Sequence, residues 1–328
     1  MTDLRPYVIG VGLSLLGLGF VPLSGLIPSS AVPGQPALFD WYFNLAAQQS
    51  ITLRSVGLTV PSLDTPGMVE RGAGHYDMVC ADCHGSPSAP AEQFADNLSP
   101  NPPLLVERMA QWHPEARVFA TVKHGIRRTA MPGWPTQMRD DEVWDMVAFL
   151  MALPDMEAKD YERIVAGGCT GCHGVDGQGA VPGTPRLDIQ TQGYIEAALR
   201  AFREGTRESG TMMAAARTLS DAEIEDLGAL YGRDDAVPVG SGSAEAATIV
   251  RLGIPARDIP ACDSCHGAEA RPGYPRLDGQ DAGYLQNQLK LFKELGPERG
   301  GPNGHIMAEV VRYLEEDEME ALADFYGR

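Results

Sequence analysis

Cys80-Ala-Asp-Cys83-His84, Cys169-Thr-Gly-Cys172-His173 and Cys262-Asp-Ser-Cys265-His266 together use all 6 cysteines of a 328-residue chain. In each stretch two thiols bracket two residues and an imidazole follows directly. Both thiols can then add across the vinyl groups of one haem while the histidine reaches the iron as fifth ligand. Structural zinc also takes Cys-x-x-Cys, but it needs a second ligand pair nearby. These motifs begin 89 and 93 residues apart and leave no cysteine over. A disulfide framework would consume the thiols and leave a histidine after every pair unexplained. The chain is therefore expected to carry three covalently bound haem c groups, each with its iron.

Composition narrows the partners. The formal charge is −18 before any haem propionate is counted, which disfavours nucleic acid and favours a basic protein surface. A chain of this length divides into two or three domains, and the nearly even motif spacing favours three small ones, each completing its core with its cofactor.

The N-terminus bears on the compartment. Val8 to Ile27 is a run of 20 uncharged residues, long enough at helical rise to cross a hydrocarbon core of about 30 Å. Residues 1–30 are read as a membrane anchor, although the run holds 5 glycines and Pro22. A cleaved signal is the alternative, with Ser29-Ser30-Ala31 as the small residues a peptidase prefers. Against cleavage, the apolar stretch is longer than a typical signal core, and Arg5 is opposed by Asp3. The expected location is the bacterial inner (cytoplasmic) membrane, single-pass, with the haem domains on the periplasmic side. Residues 31–63 form an interfacial or linker segment. Within it, Phe39 to Leu58 mixes aromatic and polar residues, as a helix lying along the membrane surface or one packed on a domain would.

Residues 64–154 form the first haem domain. Gly67 to Val79 reads as the helix that delivers the first motif, and Asp140 to Leu153 as a closing helix with Val143, Trp144, Met146, Val147, Leu150 and Met151 on its apolar side. Prolines 100, 102, 103, 132 and 135 break the stretch between them. Residues 155–233 and 244–328 form two more domains, joined by a Gly/Ser/Val linker at 234–243. They are internal repeats: Pro185-Arg186-Leu187-Asp188 recurs as Pro275-Arg276-Leu277-Asp278, Gly193-Tyr194 as Gly283-Tyr284, and Tyr231-Gly232-Arg233 as Tyr326-Gly327-Arg328. Ser220 followed by Glu223 is a capping box that opens the last helix of the first repeat. The expected fold is all-α, three tandem haem domains after a transmembrane helix.

Helices clasping a haem are the arrangement of class I cytochromes c, and the resemblance runs from about Gly67 to Arg328. The repeats look like the two-domain, two-haem periplasmic cytochromes of the c-four type, through Cys-His-Gly, Pro-Arg-Leu, Gly-Tyr and a late Met before the final helix. The first domain resembles single-haem modules associated with haem-copper oxidases, through Gly72-Ala73-Gly74-His75-Tyr76, Lys123-His124-Gly125-Ile126 and Met131-Pro132-Gly133-Trp134.

The resemblance implies the sixth ligands. Met131, which lies 47 residues after His84, matches the family's ligand loop. Met212 and Met307 stand 7 residues before Leu219 and Leu314, where the family places its ligand. A thioether favours ferrous iron, so His/Met coordination raises the potential and closes the iron to substrates. Met213 competes with Met212, and His305 competes with Met307. Met138 reads as a packing residue, and His75, His113 and His124 as surface or loop histidines. The family further implies that Pro103, Pro185 and Pro275 offer carbonyls to the proximal imidazoles. Arg186, Arg276, Tyr194 and Tyr284 are candidates to meet propionates, with loop packing as the other reading.

The leading functional expectation is a membrane-anchored triheme electron-transfer subunit rather than a catalyst on its own. It would take electrons from a quinol-oxidising complex or a small soluble redox protein and pass them to a terminal haem-copper oxidase. The alternatives are the cytochrome subunit of a periplasmic dehydrogenase, which differs only in partner, and a multihaem peroxidase-type enzyme. The last needs an open sixth position, against which three methionine candidates argue.

Overall fold

The computed structural model describes residue 20 and residues 23–25, 37–111, 114–233, 242–267 and 273–327. Most of the expected anchor at Val8–Ile27, together with Ser29-Ser30-Ala31, His113 and linker residues 234–241, lies outside the described residues. Among the described residues no helix is long and apolar enough to cross a membrane. They contain helices and isolated bridges but no strand.

Helix α1, Ala37–Ser55, covers most of the aromatic segment and is docked on the first domain. Ile51 is buried, Arg117 donates to Gln48 at 2.7 Å, and the Arg128 guanidinium lies 4.1 Å from the Phe43 ring centroid. Leu38, Trp41, Tyr42 and Leu45 remain exposed.

The first domain is built on α2, Met68–Val79, the motif turn α3, Ala81–His84, α4, Glu115–His124, and α5, Asp140–Ala152. The apolar stripe read in the closing helix is real: Val143, Met146, Val147 and Leu150 are buried with Tyr76, Phe119, Phe149 and Leu153. Gly72 lets α2 and α5 touch, since a Cβ there would sit 2.3 Å from the Asp145 carbonyl oxygen and 2.7 Å from Phe149 Cβ. The same core takes in Tyr161 from α6, Ala158–Val165, whose hydroxyl donates to Asp77 at 2.8 Å.

The first repeat continues through α7, Cys169–His173, α8, Gln192–Arg203, α9, Gly210–Ala216, and α10, Asp221–Tyr231. The second follows the same order with α11, Ala244–Leu252, α12, Asp263–His266, α13, Ala282–Leu295, α14, Gly304–Val311, and α15, Glu316–Tyr326. The repeated dipeptides have structural work. Tyr194 and Tyr284 sit in first turns capped by Thr191 and Asp281. Gly232 and Gly327 pack so closely on those turns that a Cβ would come within 2.6 Å of Gln192 Cα and 2.5 Å of Ala282 Cβ. The capping box at Ser220 and Glu223 opens α10.

A reciprocal exchange holds the repeats together. The Gln190 side chain accepts from the Arg276 amide at 2.9 Å and donates to the Arg276 carbonyl at 2.8 Å. Gln280 accepts from the Arg186 amide at 2.6 Å and donates to the Arg186 carbonyl at 3.1 Å. Each buried glutamine replaces a missing strand partner for one residue of the other repeat.

Further contacts tie the first domain to the second. Arg71 grips Asp145 through two bonds of 2.7 and 2.8 Å and also donates to the Pro182 carbonyl. Trp134 lies against the start of α9 in the first repeat, where a Cβ on Gly210 would be 2.3 Å from its Nε1. The other face of Trp134 stacks on His75, ring centroids 4.1 Å apart. The expectation of a surface or loop His75 is corrected here: it lies within α2, only 2% exposed, on the same helical face as Gly72 and Tyr76.

Two outcomes follow from this packing. Gly72→Ala must displace α5 or strain both helices, and is expected to cost about 1–3 kcal/mol in urea denaturation of the haem-loaded protein. Burial pushes the His75 imidazole down to about 4 from 6.5, so the unfolded chain binds a proton that the fold refuses across that window. Stability should therefore fall as pH falls from about 6.5 to about 4 and then level off, by roughly 3 kcal/mol at 1.36 kcal/mol per unit. Asp145 titrates the opposite way, held up to about 6 by burial despite Arg71, but it cancels when wild type is compared with His75→Phe. Parallel stability profiles of the two proteins against pH would remove His75 as the cause.

Candidate haem sites

Each motif folds into a single helical turn that begins at or beside its first cysteine and ends at its histidine. The imidazole is then fixed from behind. His84 Nδ1 donates to the Pro103 carbonyl at 2.8 Å, His173 Nδ1 to Pro185 at 2.9 Å, and His266 Nδ1 to Pro275 at 2.8 Å. With the proton on Nδ1, the lone pair on Nε2 is left for a metal, and the carbonyl sets both ring angle and basicity. Burial holds all three imidazoles below their ordinary pKa, opposed by these carbonyl bonds. The ring is thereby kept in the neutral form a metal requires.

The leading thiols of the first and third motifs are poor nucleophilic redox centres. Burial pushes Cys80 up to about 12 and Cys262 up to about 11, the reverse of a reactive Cys-x-x-Cys pair. Among the described residues no three His, Cys, Asp or Glu side chains converge as a metal cage. Thiols that fix a large ring at its edge, beside an imidazole that meets its centre, do not need to converge.

The two repeats and one side of the first domain, through residues such as Met68, Arg71, Met78, Arg139 and Trp144, line one cavity of about 1470 Å³. Ordinary small-molecule sites run to about 300–1,000 Å³, so the space suits two large planar groups better than one. Cys169, Cys172, His173 and Met212 line it from the first repeat, and Cys262, Cys265, His266 and Met307 from the second. Met213 and His305 are not among its lining residues; Met213 Cε instead lies against Gly205, and His305 is exposed. Met138 also lines the cavity. The first motif and Met131 lie outside it. Met131 is half-buried in the loop between α4 and α5, where its carbonyl accepts from the Ile126 amide at 3.2 Å and its amide donates to Thr129 Oγ1 at 3.1 Å. His124 is exposed at the end of α4.

The arginines expected to meet propionates have other partners. Arg186 forms a two-pronged pair with Asp188, at 2.9 and 2.6 Å, and donates to the Gly279 carbonyl. Arg276 donates to the Arg233 and Ile189 carbonyls. Both belong to the exchange between repeats. Arg186 and Arg276 nonetheless line the cavity together with Tyr194 and Tyr284, and both tyrosine hydroxyls meet Arg207, at 3.2 and 3.3 Å. Sequence reasoning passed over Gln190, Gln280, Arg207 and Arg299. The glutamines were within reach, since each stands two places after the repeated Asp. The arginines were hidden by unequal spacing, 5 residues after Phe202 but 7 after Phe292.

Residues 67–150 match the family profile described as cytochrome c oxidase, cbb3-type, subunit III, and residues 159–230 and 259–326 each match the cytochrome c profile. A thiosulfate dehydrogenase electron acceptor from Stutzerimonas stutzeri is 31% identical over 199 residues, 55% of this chain and 91% of that protein. Cytochrome c4 from Thiocapsa roseopersicina is 33% identical over 169 residues, 48% of this chain and 85% of its own length. Among solved structures, reduced cytochrome c4 from Pseudomonas stutzeri is similar over 49% of this chain and 92% of its own, at 28% identity and a TM-score of 0.43. The motifs, the family profiles and the two sequence relatives agree: the chain belongs to the cytochrome c family, its repeats are homologous to the diheme cytochrome c4 and thiosulfate dehydrogenase electron acceptor proteins, and its domains are of the kind that bind haem c covalently.

Proposed function

We propose that this chain is the electron-accepting cytochrome subunit of a periplasmic dehydrogenase, carrying three haems c and held at the inner membrane by residues 1–30. The observation that carries it is the pair of repeats locked face to face around one cavity, in a chain whose repeats align with electron acceptors of thiosulfate dehydrogenase. A small, oxidisable sulfur oxyanion, which gives up electrons to the partner enzyme, is accordingly the first substrate class to test. Haem iron, when bound, supplies a one-electron store that cycles between ferric and ferrous.

The chain's own residues do the rest. Cys80 and Cys83, Cys169 and Cys172, and Cys262 and Cys265 would anchor the three rings, with His84, His173 and His266 as proximal ligands. Met131, Met212 and Met307 are the proposed distal ligands; for the last two, the support is their place in the cavity lining. A closed sixth position disfavours the peroxidase reading.

A second reading has its own support. The match of residues 67–150 to an oxidase subunit favours delivery of electrons onward to a terminal haem-copper oxidase, with the repeats as the entry point and the first domain as the exit.

Purification of the native assembly from detergent-solubilised membranes tests the partner: a dehydrogenase subunit is expected to co-elute, whereas oxidase subunits alone would favour the second reading. Membrane association should survive a high-salt wash, because apolar burial is not screened as surface attraction is; an intact mass beginning near Val32 would show cleavage instead. Replacing Cys169 and Cys172 together by Ala should leave two covalent haems by mass. Three haems in that variant would reject the attachment scheme.

A further inference from the structure

The first domain reaches the first repeat at both its haem-attachment turn and its proposed ligand helix. At the attachment turn, Gly74 of α2 faces the second motif: a Cβ on it would be 3.3 Å from Cys172 Sγ. At the ligand helix, the Nε1 edge of Trp134 presses on Gly210, two residues before Met212 in α9. The bond from Asn287 to Asp141 reaches the second repeat on α13, an element that carries neither the third motif nor Met307. The first domain therefore packs on the elements that would hold the second haem, and on a different kind of element in the second repeat.

Trp134 also belongs to the ligand loop of the first site, three residues after Met131. That loop is pinned to the end of α4. The Trp134 amide donates to the Lys123 carbonyl at 3.0 Å, and a Cβ on Gly125 would come 2.5 Å from the Pro132 carbonyl carbon. His75 stacks on the indole with ring centroids 4.1 Å apart and planes 29° apart. Two short routes thus leave the first ligand loop: from Trp134 directly to Gly210, and from Trp134 through His75 and its neighbour Gly74 to Cys172. Both rings are buried, at 2% and 6% exposure for His75 and Trp134. Their placement has a cost, because His75 Nδ1 and Trp134 Nε1 have no hydrogen-bond partner among the described residues. Two aliphatic side chains would fill the space without that cost, but they would not give a continuous aromatic contact. Since burial pushes the His75 imidazole down to about 4, the contact carries no ionic charge at neutral pH.

We propose that the first and second haems exchange electrons across the contact of Trp134 with His75, which makes the second haem an internal relay between the first and the third. This rests on haem occupancy of the first domain and the first repeat, as proposed above. One electron crosses: the iron that gives it passes from ferrous to ferric as the iron that takes it passes from ferric to ferrous. Both rings keep their oxidation and protonation states. Electron transfer weakens steeply with distance and most steeply across gaps, so a close-packed bridge transmits where a loose seam does not. Trp134 and His75 are positioning residues in this role, neither being a haem ligand.

Laser-flash reduction of the full-length, haem-loaded protein by a photosensitiser, at less than one electron per molecule, tests the proposal. Internal exchange appears as absorbance phases whose rates do not depend on protein concentration. The phase that reports on the first haem is the one lost when Cys80 and Cys83 are both replaced by Ala, or displaced when Met131→His shifts that haem's potential. Trp134→Leu and His75→Leu keep an apolar side chain but break the ring contact. Each should slow this phase severalfold, with three haems still present by mass and the exchange within the repeats unchanged. Trp134→Phe and His75→Phe should restore most of the rate. Phe119→Leu, which removes the stack of Phe119 on Trp144 elsewhere in the same domain, should leave it unchanged, so loss of core packing alone does not mimic the effect. If Trp134→Leu does not accumulate, the His75 pair decides. A wild-type rate in the Leu variants would overturn the bridge, as would Phe variants slowed as far as Leu ones. So would a three-haem wild-type protein in which the first haem exchanges only at rates that rise with protein concentration. Absence of the first haem from the wild-type protein, read by mass, would instead overturn the three-haem reading.

Discussion

Everything around the shared cavity depends on the exchange between Gln190 and Gln280. Each side-chain amide presents one donor and one acceptor, the same pair of groups a neighbouring strand would offer, to the backbone of Arg276 or Arg186. Four hydrogen bonds made away from solvent are individually worth about 1 kcal/mol each, but the cost of leaving any of those buried groups unmade is larger. The exchange therefore works mainly as a specification. Only one relative placement of the repeats satisfies all four bonds, and in that placement the residues after Pro185 and Pro275 are held at the seam. Those same prolines fix His173 and His266, so the docking of the repeats and the aim of both imidazoles are set by adjacent peptide units.

Small helical units of this kind are short of apolar material. In the first repeat Ala198, Phe202 and Ala216 cluster, with Ile195, Ala201, Ile224 and Tyr231 also buried, whereas the first domain gathers a dozen side chains into one cluster that includes Tyr161 from beyond its closing helix. Surface-to-volume scaling makes such a thin core marginal by itself. A large planar group filling the cavity would supply the missing apolar surface, and the glycines pressed against the first turns of α8 and α13 are what let the final helices close around that space.

Much of this architecture was legible in the sequence where the signal is local. The first motif helix was expected at Gly67–Val79 and runs from Met68 to Val79; the closing helix was expected at Asp140–Leu153 and runs from Asp140 to Ala152. The capping box at Ser220 could also be named beforehand, because it is set by residues three positions apart, while the proline carbonyls behind the histidines came from the family resemblance. What escaped was non-local. His75 looks like any polar residue of a helix until Trp134, far along the chain, covers it. Arg186 looks like a free cation until Asp188 and the other repeat claim it. Arg207 and Arg299 are related only through a fold that brings loops of unequal length together.

The first domain does more than sit beside the repeats. Glu142, in the first turn of α5, is buried, and its carboxylate accepts from Ser209 Oγ and the Gly210 amide, both at 2.6 Å. Those groups belong to the start of α9, where amide groups have no intrahelical acceptor, and Ser209 in turn caps the Met212 amide at 3.1 Å. A carboxylate of one domain thus completes the helix that presents a thioether in the next. Arg139 holds Glu142 in place and also donates to the Glu208 carbonyl at 3.0 Å, while Asp141 receives Asn287 of the second repeat at 3.0 Å. Arg139, Asp141 and Glu142 together therefore reach both repeats. Because charge-assisted bonds in a buried site are short and directional, any shift of α5 is transmitted to α9. The surroundings of Met212 are therefore set jointly by the first domain and the first repeat.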